Sequence, residues 1–149
     1  MKHHVISHHV GGIAAGLALV LGSASLAQAS VDTSPKPGGV YRLKPGIYVA
    51  KGSRCESPAN AAIRQYDGKG ISTAHTSSCR AVVRDQKRSR YMVDQTCIDA
   101  GHGPGKRFVQ RQQVVVQDAL TFTQVIGKGR TTYQYCPVYQ LPKDLRRAL

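Results

Sequence analysis

CRAVVRDQKRSRYMVDQTC, residues 79–97, holds two cysteines, two apolar runs and a cluster of bases at its centre. Runs of β-branched and aromatic residues on either side of a polar centre read as two strands joined by a turn. With Lys87-Arg88-Ser89 as a three-residue loop, Cys79 falls opposite Cys97, Ala81 opposite Gln95, Val83 opposite Val93 and Asp85 opposite Tyr91. A slip of one residue would send the two cysteines to opposite faces, because side chains alternate along a strand. The register therefore predicts a Cys79–Cys97 bond across the hairpin and leaves Cys55 to join Cys136. The loop itself lacks the glycine that three-residue hairpins usually carry.

Outward from this hairpin the chain keeps the same texture. GIYVAKG (46–52) and AAIRQY (61–66) read as strands, and Asp67-Gly68 in the following DGKG suits a tight turn that needs positive φ. RFVQRQQVVVQ (107–117) and ALTFTQVIG (119–127) alternate or nearly so, with Leu120, Phe122, Gln124 and Ile126 sharing one face of the second. TTYQYC (131–136) puts Tyr133 and Tyr135 on one side and Cys136 on the other. Gly- and Lys-rich turns, GHGPGK and GKGR, separate these runs. Seven or eight short strands at such spacing predict an all-β fold, a small antiparallel barrel or sandwich stapled by disulfides. After Pro142, Lys143, Arg146 and Arg147 are expected to form one helical turn with Leu145 and Leu149, a short basic tail.

The N-terminus has a different character. Lys2 and four histidines precede an apolar run, Ile13 to Leu21, which ends in small residues at Ala27-Gln28-Ala29. A basic start, a run too short to span a bilayer and an A-x-A end predict a cleaved secretory signal over 1–29. Residues 30–40, which begin SVDTSPKPGG and have no hydrophobic period, read as a flexible arm, and 41–149 as one β-domain. The chain after cleavage is about 120 residues, enough for a single core. Export makes four cysteines an oxidised framework of two disulfides in the periplasm or outside the cell. Metal binding is not expected, because the cysteines form no C-x-x-C pair and only His75 and His102 lie beyond the leader.

Charge points to the partner. Lys and Arg number 21 against 8 Asp and Glu, a formal net charge of +13, and the leader removes only Lys2 from the basic side. Turns need polarity but not one sign of charge, so the excess predicts attraction to a polyanion. The candidate anion-binding residues are Lys87, Arg88, Arg90, Lys106, Arg107, Lys128 and Arg130, with Lys69 at a further turn. Arg80 and Arg84 are expected to flank Asp94 on the open face of the hairpin. Tyr133, Tyr135 and Tyr139, gathered in YQYCPVYQLP, form a candidate patch for a protein partner.

No stretch carries a catalytic or cofactor motif. AGHGPGKR lacks the P-loop spacing, and His75 and His102, with Asp67 and Asp99 near, are the only residues from which a small hydrolase or nuclease site would be built. In size, expected compartment and cysteine content the chain resembles the small periplasmic inhibitors of animal-type lysozyme. Its positive charge is a poor match for a basic lysozyme, so an inhibitor role would imply an acidic target. The sequence thus predicts a non-enzymatic, exported binding protein for an anionic envelope or extracellular partner, without cofactor. A protein-inhibitor or partner-binding role stands second, and a hydrolase third.

Overall fold

The computed structural model describes residues 36–101 and 105–147. The predicted leader, the start of the arm, His102 and Leu149 lie outside these residues. Among the described residues eight strands form one antiparallel sheet: β1 (Gly46–Ala50), β2 (Ile63–Tyr66), β3 (Ile71–Ser72), β4 (Thr76–Lys87), β5 (Arg90–Asp99), β6 (Arg107–Asp118), β7 (Thr121–Ile126) and β8 (Gly129–Tyr135). Their order, β3-β2-β1-β8-β7-β6-β5-β4, leaves β3 and β4 to meet and nearly close a barrel. Ala61 and Ala62, read from sequence as the start of a strand, belong instead to a short 3-10 turn, Asn60–Ala62, that leads into β2.

The opening hairpin forms with Ala81 opposite Gln95 and Val83 opposite Val93. Cys79 is bonded to Cys97 and Cys55 to Cys136, the pairing that the register implies. Beyond Val83 the prediction fails by one residue. A bulge at Arg84 sets Asp85 opposite Met92 rather than Tyr91, and Lys87 pairs with Arg90 around a two-residue turn, Arg88-Ser89. Arg88 takes φ 54°, which replaces the missing glycine by a left-handed arginine. The turn keeps both strands extended to its tip, and the extra residue is absorbed in the bulge.

Alternation sorts the side chains. Tyr48, Tyr66, Val93, Val114, Phe122 and Tyr133 point inward and are buried together with Tyr41 and Leu43. Phe122 packs against Tyr48 and Tyr133, with ring centroids 5.2 Å apart in each case. Ile47, Val49 and Ile63 face the other way and form a second apolar cluster with Cys136 and Leu141. The chain after β8, through a 3-10 turn at Val138–Gln140 and the helical turn α1 (Lys143–Arg147), folds over that outer face, and Leu145 packs on it. The Cys55–Cys136 bond staples this cover in place.

Closure between β3 and β4 depends on side chains. The Gln95 amide, buried inside, accepts from the Ile71 N–H at 2.8 Å and donates to the Ile71 carbonyl at 2.9 Å. Ala81 N–H adds a bond to the Lys69 carbonyl at 2.9 Å. A side chain at Gly70 would land on the Cys79 carbonyl, so the approach requires glycine. Past Ala81, among the described residues, no strand lies on the far side of β4, and Val82 is 50% exposed.

One end of the barrel, where β1 begins and the β4–β5 and β6–β7 turns lie, is filled by residues 38–44. Gly38 bridges to Leu43, Val40 N–H bonds the Gly68 carbonyl, and Tyr41 packs on Tyr66 and Tyr91. The last residues of the predicted arm are therefore docked. The DGKG turn beneath them is held by Asp67, whose carboxylate accepts from the Lys69 and Gly70 N–H groups.

Candidate binding site

The strand directions divide the predicted bases between the two ends. Lys87, Arg88 and Arg90 lie at the β4–β5 turn, at the filled end. Lys106, Arg107, Lys128 and Arg130 lie at the opposite, open end, where β6 and β8 begin. All seven are exposed, and among the described residues none pairs with a carboxylate. They do not form a single cluster.

What connects the two groups is the outer face of the long ribbon β4–β5–β6. Met92, Asp94, Thr96 and Ile98 point outward from β5, so their register partners share that face. These include Lys87 and Arg90 at one end, Arg84 and Arg111 around Asp94, Arg80 beside Thr96, and Arg107 opposite Ile98. Asp85 and Asp94 are the carboxylates on this face. The result is a basic strip about 30 Å long, the length of β5. Exposed apolar side chains interrupt it, with Val109 64% exposed.

Asp94 organises the middle of the strip. Arg111 bonds it through Nε at 2.8 Å and Nη2 at 3.1 Å, and Arg84 through Nε at 2.8 Å. These charge-assisted bonds hold the carboxyl down to about 2. The predicted flanking pair was Arg80 and Arg84, and the structure replaces Arg80 with Arg111. Arg80 stands one ladder position away, opposite Thr96, whereas Arg111 faces Asp94 directly from β6. The hairpin reading considered β4 and β5 only, so the third strand was missed.

A second basic residue escaped the sequence reading altogether. Arg64 shares a face of β2 with Tyr66 and therefore points into the open end of the barrel. Its Nε donates to Gln124 Oε1 at 2.9 Å, and Nη1 donates to the carbonyls of Ala61 at 3.1 Å and Ile63 at 2.7 Å. The guanidinium lies over the Tyr133 ring, 4.6 Å from its centroid. Burial pulls its pKa below the ordinary arginine value. Gln124 in turn donates to Gln112 Oε1 at 2.6 Å. The chain of amides ends where the Gln112 side chain meets the buried Tyr41 hydroxyl, a contact that falls short of good hydrogen-bond geometry. Alternation was the available signal for Arg64, which stands two residues from Tyr66 and so shares its face, opposite to that of Ile63.

The three candidate tyrosines separate. Tyr133 is 2% exposed beneath Arg64, and Tyr135 is half-buried against Tyr48. Tyr139 alone stands out, at 55% exposed. His75 lies exposed on the turn before β4, and its carbonyl accepts from Ala100 N–H at 2.8 Å, which ties that turn to the segment leading to His102. Among the described residues no group of His, Cys, Asp or Glu is placed to hold a metal ion, and no helix is long and apolar enough to cross a membrane. No family model, curated protein or solved structure matches this chain.

Proposed function

We propose that the protein is a non-enzymatic, exported binding module for an anionic polymer or envelope surface. The observation that carries this reading is the outer face of β4–β6, where Arg80, Arg84, Lys87, Arg90, Arg107 and Arg111 outnumber Asp85 and Asp94. An extended row of exposed bases matches the repeating charge of a linear polyanion, and each neutralised anion releases counterions. Two disulfides support a working place in an oxidising compartment.

The test is retention of the oxidised protein on an immobilised sulfated polysaccharide and on phosphatidylglycerol vesicles across a salt series. Affinity is expected to fall steeply as salt rises. Replacing Lys87, Arg88 and Arg90 with glutamine should weaken retention and flatten its salt dependence by about one contact for each base that touches the anion. Replacing Lys128 and Arg130, which lie on the β7–β8 turn away from the ribbon, should do less. Retention that ignores both salt and the ribbon variants would refute the reading.

A further inference from the structure

A half-buried arginine normally has a carboxylate beside it, because a desolvated charge without a counter-charge is unfavourable. Arg64 has none among the described residues. Its protein partners are neutral: one amide oxygen, two main-chain carbonyls and the face of a tyrosine. Among the described residues no acceptor takes Nη2, and Nη2 is not one of the buried unpartnered side-chain atoms, so it opens to solvent.

Arg64 lines a small pocket of about 100 Å³ at the open end, together with Gln124, Ile126, Gly129, Thr131 and Tyr133. The pocket is built rather than incidental. Gln124 is oriented by its bond to Gln112, so its oxygen, not its nitrogen, meets Arg64 and fixes the guanidinium plane. Tyr133 supports the plane from below. Gly129, Thr131 and Tyr133 alternate along β8 and face the same way, so the mouth is open where Gly129 has no side chain.

We infer that this pocket binds a carboxylate, with Arg64 and the Thr131 hydroxyl as donors and Ile126 against the carbon that bears it. The donor set and the size select the ligand. The Arg64 Nη2 and one hydroxyl match the two oxygens of a planar monoanion, and the space admits the carboxylate and an adjoining carbon while the rest of the ligand stays outside. A tetrahedral dianion would need more donors than these walls present. The site is on the inner surface and the basic strip is on the outer one, so the two readings stand or fall separately.

The experiment is an amide NMR titration of the oxidised protein with sodium acetate, galacturonate, neutral galactose and inorganic phosphate, at constant ionic strength. Acetate and galacturonate are expected to shift the Gly129 and Thr131 amides saturably, and galactose and phosphate to leave them in place. Tighter binding of galacturonate than acetate would identify a sugar acid as the source of the carboxylate; equal binding would identify a small free carboxylate. Arg64→Gln should weaken binding about tenfold or more, the loss of a charge-assisted hydrogen bond. Gly129→Leu provides a variant that leaves Arg64 intact: a Cβ there meets only the Ile126 carbonyl oxygen, at 3.4 Å, and the longer side chain fills the mouth. It should abolish the shifts, while the glutamine variant of Lys87, Arg88 and Arg90 should preserve them. Binding unchanged in either Arg64→Gln or Gly129→Leu, or phosphate as effective as acetate, would overturn the assignment.

Discussion

At one end of the barrel residues 38–44 turn into the opening and Tyr41 fills it against Tyr66 and Tyr91, whereas at the other the same inner wall carries Arg64, Gln124 and Thr131. Both ends face the same problem, an apolar tube that must stop somewhere. The filled end solves it with aromatic area, which excludes water at a gain in stability. The open end solves it with amides and a cation, which exchange water bonds for protein bonds at little net gain. A stretch of wall that gives up apolar burial without closing the tube is where binding chemistry has room to be.

The largest effect should appear at the filled end. Tyr41→Ala is expected to cost about 3–5 kcal/mol in denaturant unfolding, the loss of a fully buried aromatic ring. Tyr41→Phe should cost no more than about 1 kcal/mol, because the hydroxyl it removes meets only the Gln112 side chain, without good hydrogen-bond geometry. A cost below about 1 kcal/mol for the alanine variant would erase the distinction between the ends.

Gln95→Leu tests the wall between them. It strands the Ile71 N–H and carbonyl in the interior, at about 1–3 kcal/mol for each. Amide exchange at Ile71 should accelerate, and continued protection there would mean that something other than Gln95 closes the barrel. At the open end, Arg64→Met keeps the aliphatic stem and removes the unpaired charge, so the loss of the Gln124 bond is largely offset and stability should change by only about 1 kcal/mol. A loss as large as that of Tyr41→Ala would make Arg64 a structural post like its counterpart.

The smallest effect belongs to the outer wall. Asp94 has a folded pKa below its ordinary value of 3.8, at about 2. A depressed carboxyl contributes stability that is complete above its unfolded pKa and is lost as pH falls through the folded one. The contribution should fade between about pH 4 and pH 2 and vanish in Asp94→Asn. Carbon-13 titration of the carboxyl in the wild type and in Arg111→Gln gives the check, since the variant should move the midpoint up.

The strands and the disulfides were legible because period-two alternation and cysteine spacing are local signals. The register of 79–97 survived as far as Val83. It broke where a bulge and a left-handed Arg88 replaced the expected loop, two backbone events that leave no residue signature when glycine is absent. Gln95 and the partners of Arg64 were unreadable for another reason. Polar residues inside a barrel look like solvent-facing residues until the wall opposite them is known, and Gln124 and Ile71 are 60 and 24 residues away. The bases were legible as residues but not as a surface, because their grouping depends on which end of the barrel each turn reaches.

The pairing of β1 with β8 has a consequence in time. Tyr48 must meet Tyr135, and Cys55 must meet Cys136, 81 residues further along. Neither the barrel nor its outer cover can be completed until β8 and Cys136 have been synthesised. Contacts of such separation form slowly. The native wall therefore stays open until the segment around Cys136 is in place, and oxidation then locks two distant regions of the sequence together.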